Sequence, residues 1–106
     1  MLYQFTQKQL ALIAQELKSQ ALWADEPPST QAMADPTPFA CESMPFEHWL
    51  QFIFIPKMSV LVAQRAPLPT NIALAPMAEY VWQHRIELKM LINLINQLDE
   101  FLSEPR

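Results

Sequence analysis

Cys41, His48 and His84 are the residues of this 106-residue chain best suited to nucleophilic or metal chemistry. A thiolate needs a base within hydrogen-bond reach, and His48 could serve Cys41 in that way. Neither histidine has a second ligand residue three or four positions away in a zinc pattern. The reading that weighs more is an exposed helix residue for His48 and a loop residue for Cys41. His84 reads as a helix-end or partly buried residue with a backbone partner. Paired carboxylates do acid–base work when burial separates their pKa values. Asp99–Glu100 falls on the outward side of an amphipathic pattern and reads as a solvated face. Asp25–Glu26 lies between Trp23 and Pro27 in a different setting, a loop. No catalytic residue, no metal ligand and no cofactor is expected, which weighs against an enzyme.

The sharpest feature is residues 49–62, WLQFIFIPKMSVLV. A proline inside a helix removes an amide donor and meets the carbonyl four residues back, at a cost of roughly 3 kcal/mol. Pro56 should therefore kink the segment and leave the Phe52 carbonyl without its amide. Lys57 follows directly among Phe, Ile, Met and Val. A buried ammonium is expensive unless paired, and Asp25 or Glu26 could supply the counter-charge. The functional reading is a polar notch at the kink, with Trp49, Ile53 and Lys57 around a pocket, and it weighs less than a plainer one. The plainer alternative is that Lys57 lays its stem on apolar surface and keeps its charge in water.

Composition narrows the classes. Hydrophobic residues make up 51% and charged residues 17%, a globular balance. The length suits one domain over 1–106. Net charge is −4, with seven Lys and Arg and no basic cluster. Phosphate-backbone binding gains affinity from basic residues, so direct binding to nucleic acid is not expected. One cysteine fits a reducing, cytoplasmic compartment. The start reads as no signal peptide, and no apolar run approaches the roughly 20 residues of a membrane helix. There is no glycine and there are ten prolines. The absence of glycine excludes the phosphate-binding loop and the dinucleotide fingerprint. It also removes the usual positive-φ hairpin turns, so an all-helical chain with stiff connections is expected.

The periodicity predicts the positioning elements. Thr6 and Gln9 have capping-box spacing, with Phe5 and Leu10 as a staple. Leu10, Ile13, Leu17 and Ala21 then recur on one face, predicting a helix over Thr6–Leu22. Residues 23–44 hold Pro, Ser, Thr and Asp without a period and predict a loop of about twenty residues, a length that is usually functional or disordered. Trp23, Met33, Phe39 and Met44 should pin it to the body. Phe46–Gln64 is apolar nearly all round, which predicts a buried central helix, with Glu47, His48, Gln51 and Ser59 on its polar sector. Residues 66–76 form a second proline-rich connection. A final helical pattern from Pro76 to Leu102 allows one helix of ~40 Å; because that would overhang its shorter neighbours, two helices with a break near Gln83–His84 are the preferred reading. The fold class is thus all-α: a small four-helix bundle, a long proline-rich loop between the first two helices, and a proline-kinked central helix.

Several segments resemble the YqcC-like family of small bacterial proteins: WADEP at 23–27, PF at 38–39, SM at 43–44, WLQFIFIPKM at 49–58, PLP at 67–69 and AP-x-x-E at 75–79. The resemblance runs over almost the whole chain. It implies a small helical bundle without established enzymatic chemistry, and a neighbourhood with a tRNA pseudouridine synthase. The leading expectation is an accessory protein-interaction module. Its surface would combine Trp23, Asp25, Glu26, Pro27 and Phe39 with Trp49, Ile53, Pro56 and Lys57. A small-molecule pocket at Pro56 and a homo-oligomer are the other readings.

Overall fold

The computed structural model describes residues 2–70 and 72–104; Pro105 lies outside the described residues. Among the described residues there is helix and turn but no strand. Helix α1 spans Leu2–Ser19, the short α2 Thr30–Met33, α3 residues 46–63, α4 Leu74–Val81 and α5 Lys89–Ser103. Helix α5 packs on both α1 and α4, and α1 also packs on the second half of α3.

Helix α1 begins four residues before the expected cap, so Thr6 lies inside it. Tertiary contacts hold this early turn, as they do most protein helices. The Phe5 ring stacks on Phe101 at 4.0 Å. The Tyr3 hydroxyl donates toward the carbonyls of Arg65 and Ala66, at 3.0 and 2.9 Å. Thr6 is fully buried, and its hydroxyl has no hydrogen-bond partner among the described residues. Leu10, Ile13 and Leu17 form the buried stripe as expected. Gln9 is buried beside them and donates to the Leu94 carbonyl at 2.9 Å, tying α1 to α5.

Helices α1 and α3 end alike. The Leu22 amide donates to the Leu17 carbonyl and the Ala21 amide to Lys18. The Ala66 and Arg65 amides do the same to Leu61 and Val62. This is the Schellman pattern, which places a left-handed residue just after the helix, usually glycine. Here Ala21 and Arg65 take that place, with φ of 60° and 53°. Ala21 is exposed, so it leaves the stripe that periodicity assigned to it.

The loop from Leu22 to Pro45 is more structured than its composition suggests. It contains α2, whose first turn is capped by the Ser29 hydroxyl, and a 3-10 turn over Pro38–Ala40. It is tied to α3 by Gln51, which was expected to face water. Gln51 is buried; its carbonyl accepts from the Ala24 amide at 2.8 Å and its amide donates to the Ala24 carbonyl at 2.9 Å.

Helix α4 gets its N-terminal cap from another element. Ala73, in the left-handed region, offers no side-chain cap. Asp99 on α5 accepts from the Leu74 amide at 3.1 Å and the Ala75 amide at 2.7 Å. Pro76, in the first turn, has no amide to satisfy. Asp99 is therefore buried, not on the solvated face expected for it. Burial pushes its carboxyl above the ordinary range, against the lowering effect of the two amides. Between α4 and α5 the chain leaves the helix at Trp82, whose φ is −114°, and passes a 3-10 turn over Ile86–Leu88. The expected break is thus present. His84 lies just past the end of α4, ahead of the 3-10 turn, and is exposed rather than partly buried.

Candidate functional site

Helix α3 contains an inserted wide turn. Phe46–Trp49 is α-helical, Leu50–Phe54 winds as a π-helix and Ile55–Ala63 is α-helical again. The Ile55 amide donates to the Leu50 carbonyl, five residues back. Pro56 then falls in the first turn of the renewed α segment, where a missing amide is tolerated. Phe54 and Ile55 keep helical dihedrals. The break in α3 that the proline requires is this widening of the preceding turn.

The wide turn also sets which faces are buried. A spacing of four drifts by ~40° per step on a 3.6-residue turn, and a wider turn offsets that drift. Phe46, Leu50, Phe54 and Met58 remain in one buried stripe. The helix is not buried all round, contrary to expectation: Phe52, Ile53 and Ile55 are half-buried and Val60 is 53% exposed.

Beside the buried stripe runs a second one with the same step: Trp49, Ile53, Lys57 and Leu61. It forms the floor of an open groove of about 600 Å³. Pro67, Leu68, Pro69 and Ile72 make one wall, and Pro38 and Phe39 close one end. The Phe39 ring meets Trp49 edge-on at 5.0 Å and Phe46 at 5.7 Å, and Trp49 stacks on Phe54 at 5.5 Å. Phe39 reaches this position from a left-handed backbone conformation, φ 57°. Backbone strain of that kind costs about 1–3 kcal/mol and persists where the surroundings fix it. Here packing against two rings, Phe46 and Trp49, fixes it.

Of the residues expected at the site, the structure gathers Phe39, Trp49, Ile53 and Lys57. Trp23 lies elsewhere, half-buried with the Lys18 ammonium 4.8 Å above its ring. Asp25, Glu26 and Pro27 are exposed and do not line the groove, and neither does Pro56. Lys57 is exposed and pairs with neither Asp25 nor Glu26; among the described residues the ion pair is Arg85–Glu87, at 3.1 Å. The ammonium has water available, so no counter-charge is required. The proline wall and Leu61 were not singled out from the sequence, although the PLP segment at 67–69 was the available signal.

Among the described residues that line the groove, no nucleophile stands beside a histidine or carboxylate base. Among the described residues, Lys57 is the one charged residue that lines it. Cys41 is exposed, and His48 packs edge-on against Phe52 at 6.3 Å. Among the described residues no three His, Cys, Asp or Glu side chains gather as a metal site needs. No helix of the described residues is long and apolar enough to cross a membrane.

Residues 5–101 match the DUF446 family model, described as tRNA pseudouridine synthase C. The chain belongs to the YqcC-like family. An uncharacterized protein of Haemophilus influenzae is 34% identical over 93 residues, covering 88% of this chain and 85% of that protein. The uncharacterized protein YqcC of Escherichia coli is 31% identical over 71 residues, 67% of this chain and 65% of that one. The solution NMR structure of E. coli YqcC matches 99% of this chain and 91% of its own, with a TM-score of 0.87 at 23% identity. That likeness establishes the YqcC-like fold. A tRNA pseudouridine synthase C of Pectobacterium carotovorum is 32% identical over 59 residues, 56% of this chain but only 16% of that protein.

Proposed function

We propose that this YqcC-like protein is an accessory module that binds a tRNA pseudouridine synthase in the cytoplasm. One observation carries the reading. A much longer protein named tRNA pseudouridine synthase C contains, within 16% of its length, a segment 32% identical to this chain. A module joined to an enzyme in one chain is a natural binding partner of that enzyme when the two are separate. Linking two modules raises their effective concentration without a new contact, so a joined pair preserves an interface that separate chains must form by encounter. The description of the family supports the same enzyme.

Charge favours holding the enzyme over holding the RNA. A chain of net charge −4 with seven basic residues repels a phosphate backbone. The same charge attracts an enzyme whose RNA-binding surface is basic. The expected result is a complex between purified protein and synthase whose association slows as salt rises, with no gel shift of tRNA by this protein alone. Micromolar binding to tRNA without the enzyme would refute this mechanism, and no complex with the synthase at tens of micromolar would refute the partner.

A second reading rests on the groove. Its volume, about 600 Å³, lies in the range of small-molecule sites. An apolar ligand with one negative charge would suit its apolar lining and single lysine.

A further inference from the structure

We propose that the groove beside α3 is the docking slot for an amphipathic helix of the tRNA pseudouridine synthase, one that presents a carboxylate to Lys57. The inference rests on the reading of the synthase as partner, and it names the surface and the chemistry of the contact.

Two features specify the occupant. The first is charge. The chain as a whole is acidic, yet among the described residues the only charge lining the groove is the Lys57 cation. Lys57 is exposed and in no ion pair among the described residues. An occupant that covers both the apolar lining and this ammonium leaves the charge unpaired unless it brings an anion of its own. Opposite charge at such a point fixes register and rejects partners that lack it.

The second feature is the backbone. The floor is a helix, whose amides and carbonyls already bond within the chain. The wall contains Pro67 and Pro69 and the end contains Pro38, and a proline has no amide to donate. An extended peptide gains affinity by adding a strand to an exposed edge, and this surface has no such edge. A strand laid here would leave its own backbone unpaired. A helix carries its hydrogen bonds internally and needs only side-chain contact.

Titration calorimetry with the purified synthase, joined to carbodiimide cross-linking, tests the slot. Cross-linking should join Lys57 to an Asp or Glu of the synthase, and mass spectrometry should place that residue on a helix. Ile53→Glu should weaken the complex about tenfold or more, as loss of an interface anchor does. Lys57→Glu should weaken it more than Lys57→Gln, because reversal adds repulsion. Met90→Glu, on an exposed residue that does not line the groove, should leave affinity within about twofold, as for a surface change outside the contact. Circular dichroism verifies the fold of each variant, and the exposed Lys57 variants suffice if Ile53→Glu fails to fold.

A complex that forms equally well with Ile53→Glu and Lys57→Glu overturns the slot and leaves the synthase as partner. No complex with the unaltered chain overturns both. Binding of an anionic naphthalene dye that Ile53→Glu abolishes, beside unchanged synthase binding, overturns the slot in favour of a small-molecule site. Self-association lost in Ile53→Glu, again with synthase binding unchanged, overturns it in favour of a second copy.

Discussion

The Asp99 carboxylate lies 2.7 Å from the Ala75 amide nitrogen, so a side chain of the last helix supplies the cap that its neighbour's own sequence lacks. The cap joins α4 to α5 and sits beside Leu74, which also lines the groove. Asp99→Ala leaves two buried amides without an acceptor, and should lower stability by about 2 kcal/mol. Urea denaturation measures this, and an unchanged midpoint would show that water replaces the carboxylate.

The same group predicts a pH dependence. Burial raises the folded-state pKa of Asp99 above its ordinary value of 3.8. The folded chain then holds a proton that the unfolded chain has lost. Stability from this group is fully present below about pH 3.8 and falls as pH rises through the folded pKa. Asp99→Asn cannot titrate. The stability of the unaltered chain relative to Asp99→Asn should therefore decline with rising pH in the acid range, read from melting temperatures at matched pH. A difference that grows with pH would mean that the two amides outweigh burial.

Gln51→Leu should free the long loop. Both of its amide bonds go to Ala24, so leucine leaves the Ala24 backbone unpaired. The expected effects are a loss of roughly 1–2 kcal/mol, a red shift in Trp23 emission and faster proteolysis between residues 24 and 44. Unaltered protease sensitivity would show that the Phe39 cluster alone holds the loop.

Pro56→Ala should have a small effect. The proline is exposed in the first turn of its α segment, and the π turn already accommodates it. Alanine loosens the unfolded chain and should cost about 0.5 kcal/mol. Buried Leu50 and Phe54 hold the wide turn on either side, so the groove should keep its shape. A gain of more than about 1 kcal/mol, beyond the entropic effect, would show that the proline is strained.

Thr6→Val should stabilise the chain. Valine keeps the shape of threonine and removes a hydroxyl buried without a partner, a defect worth roughly 1–3 kcal/mol. A stability loss would reveal a hydrogen bond through an internal water.

What the sequence made legible was local. The stripe of Leu10, Ile13 and Leu17 and the extent of α3 follow from periodicity and proline positions, whereas the break after Val81 follows only from the length that one unbroken helix would have. Trp49, Ile53 and Lys57 came together because one helix carries them at steps of four. What escaped was long-range. Gln51 and Asp99 read as surface residues because their partners lie 27 and 25 or 24 residues away. The true start of α1 was hidden because contacts with Arg65, Ala66 and Phe101 outweigh the Thr6 cap. The far wall of the groove escaped because a proline-rich connection has no period from which to infer a face.

The chain has no glycine, yet among the described residues five, Ala21, Phe39, Ala40, Arg65 and Ala73, adopt left-handed backbone angles. Each side chain there works against a conformation that glycine accepts freely, by roughly 1–2 kcal/mol. The molecule therefore has headroom for thermostabilisation that needs no repacking. Ala21→Gly is the cleanest starting point, because the residue is exposed and its amide bond to Lys18 would be untouched. Arg65→Gly would relax the same kind of helix end but sacrifice the guanidinium 5.6 Å from the Tyr3 ring. A laboratory selection for heat resistance should accordingly recover glycine at position 21 before any substitution in the hydrophobic core.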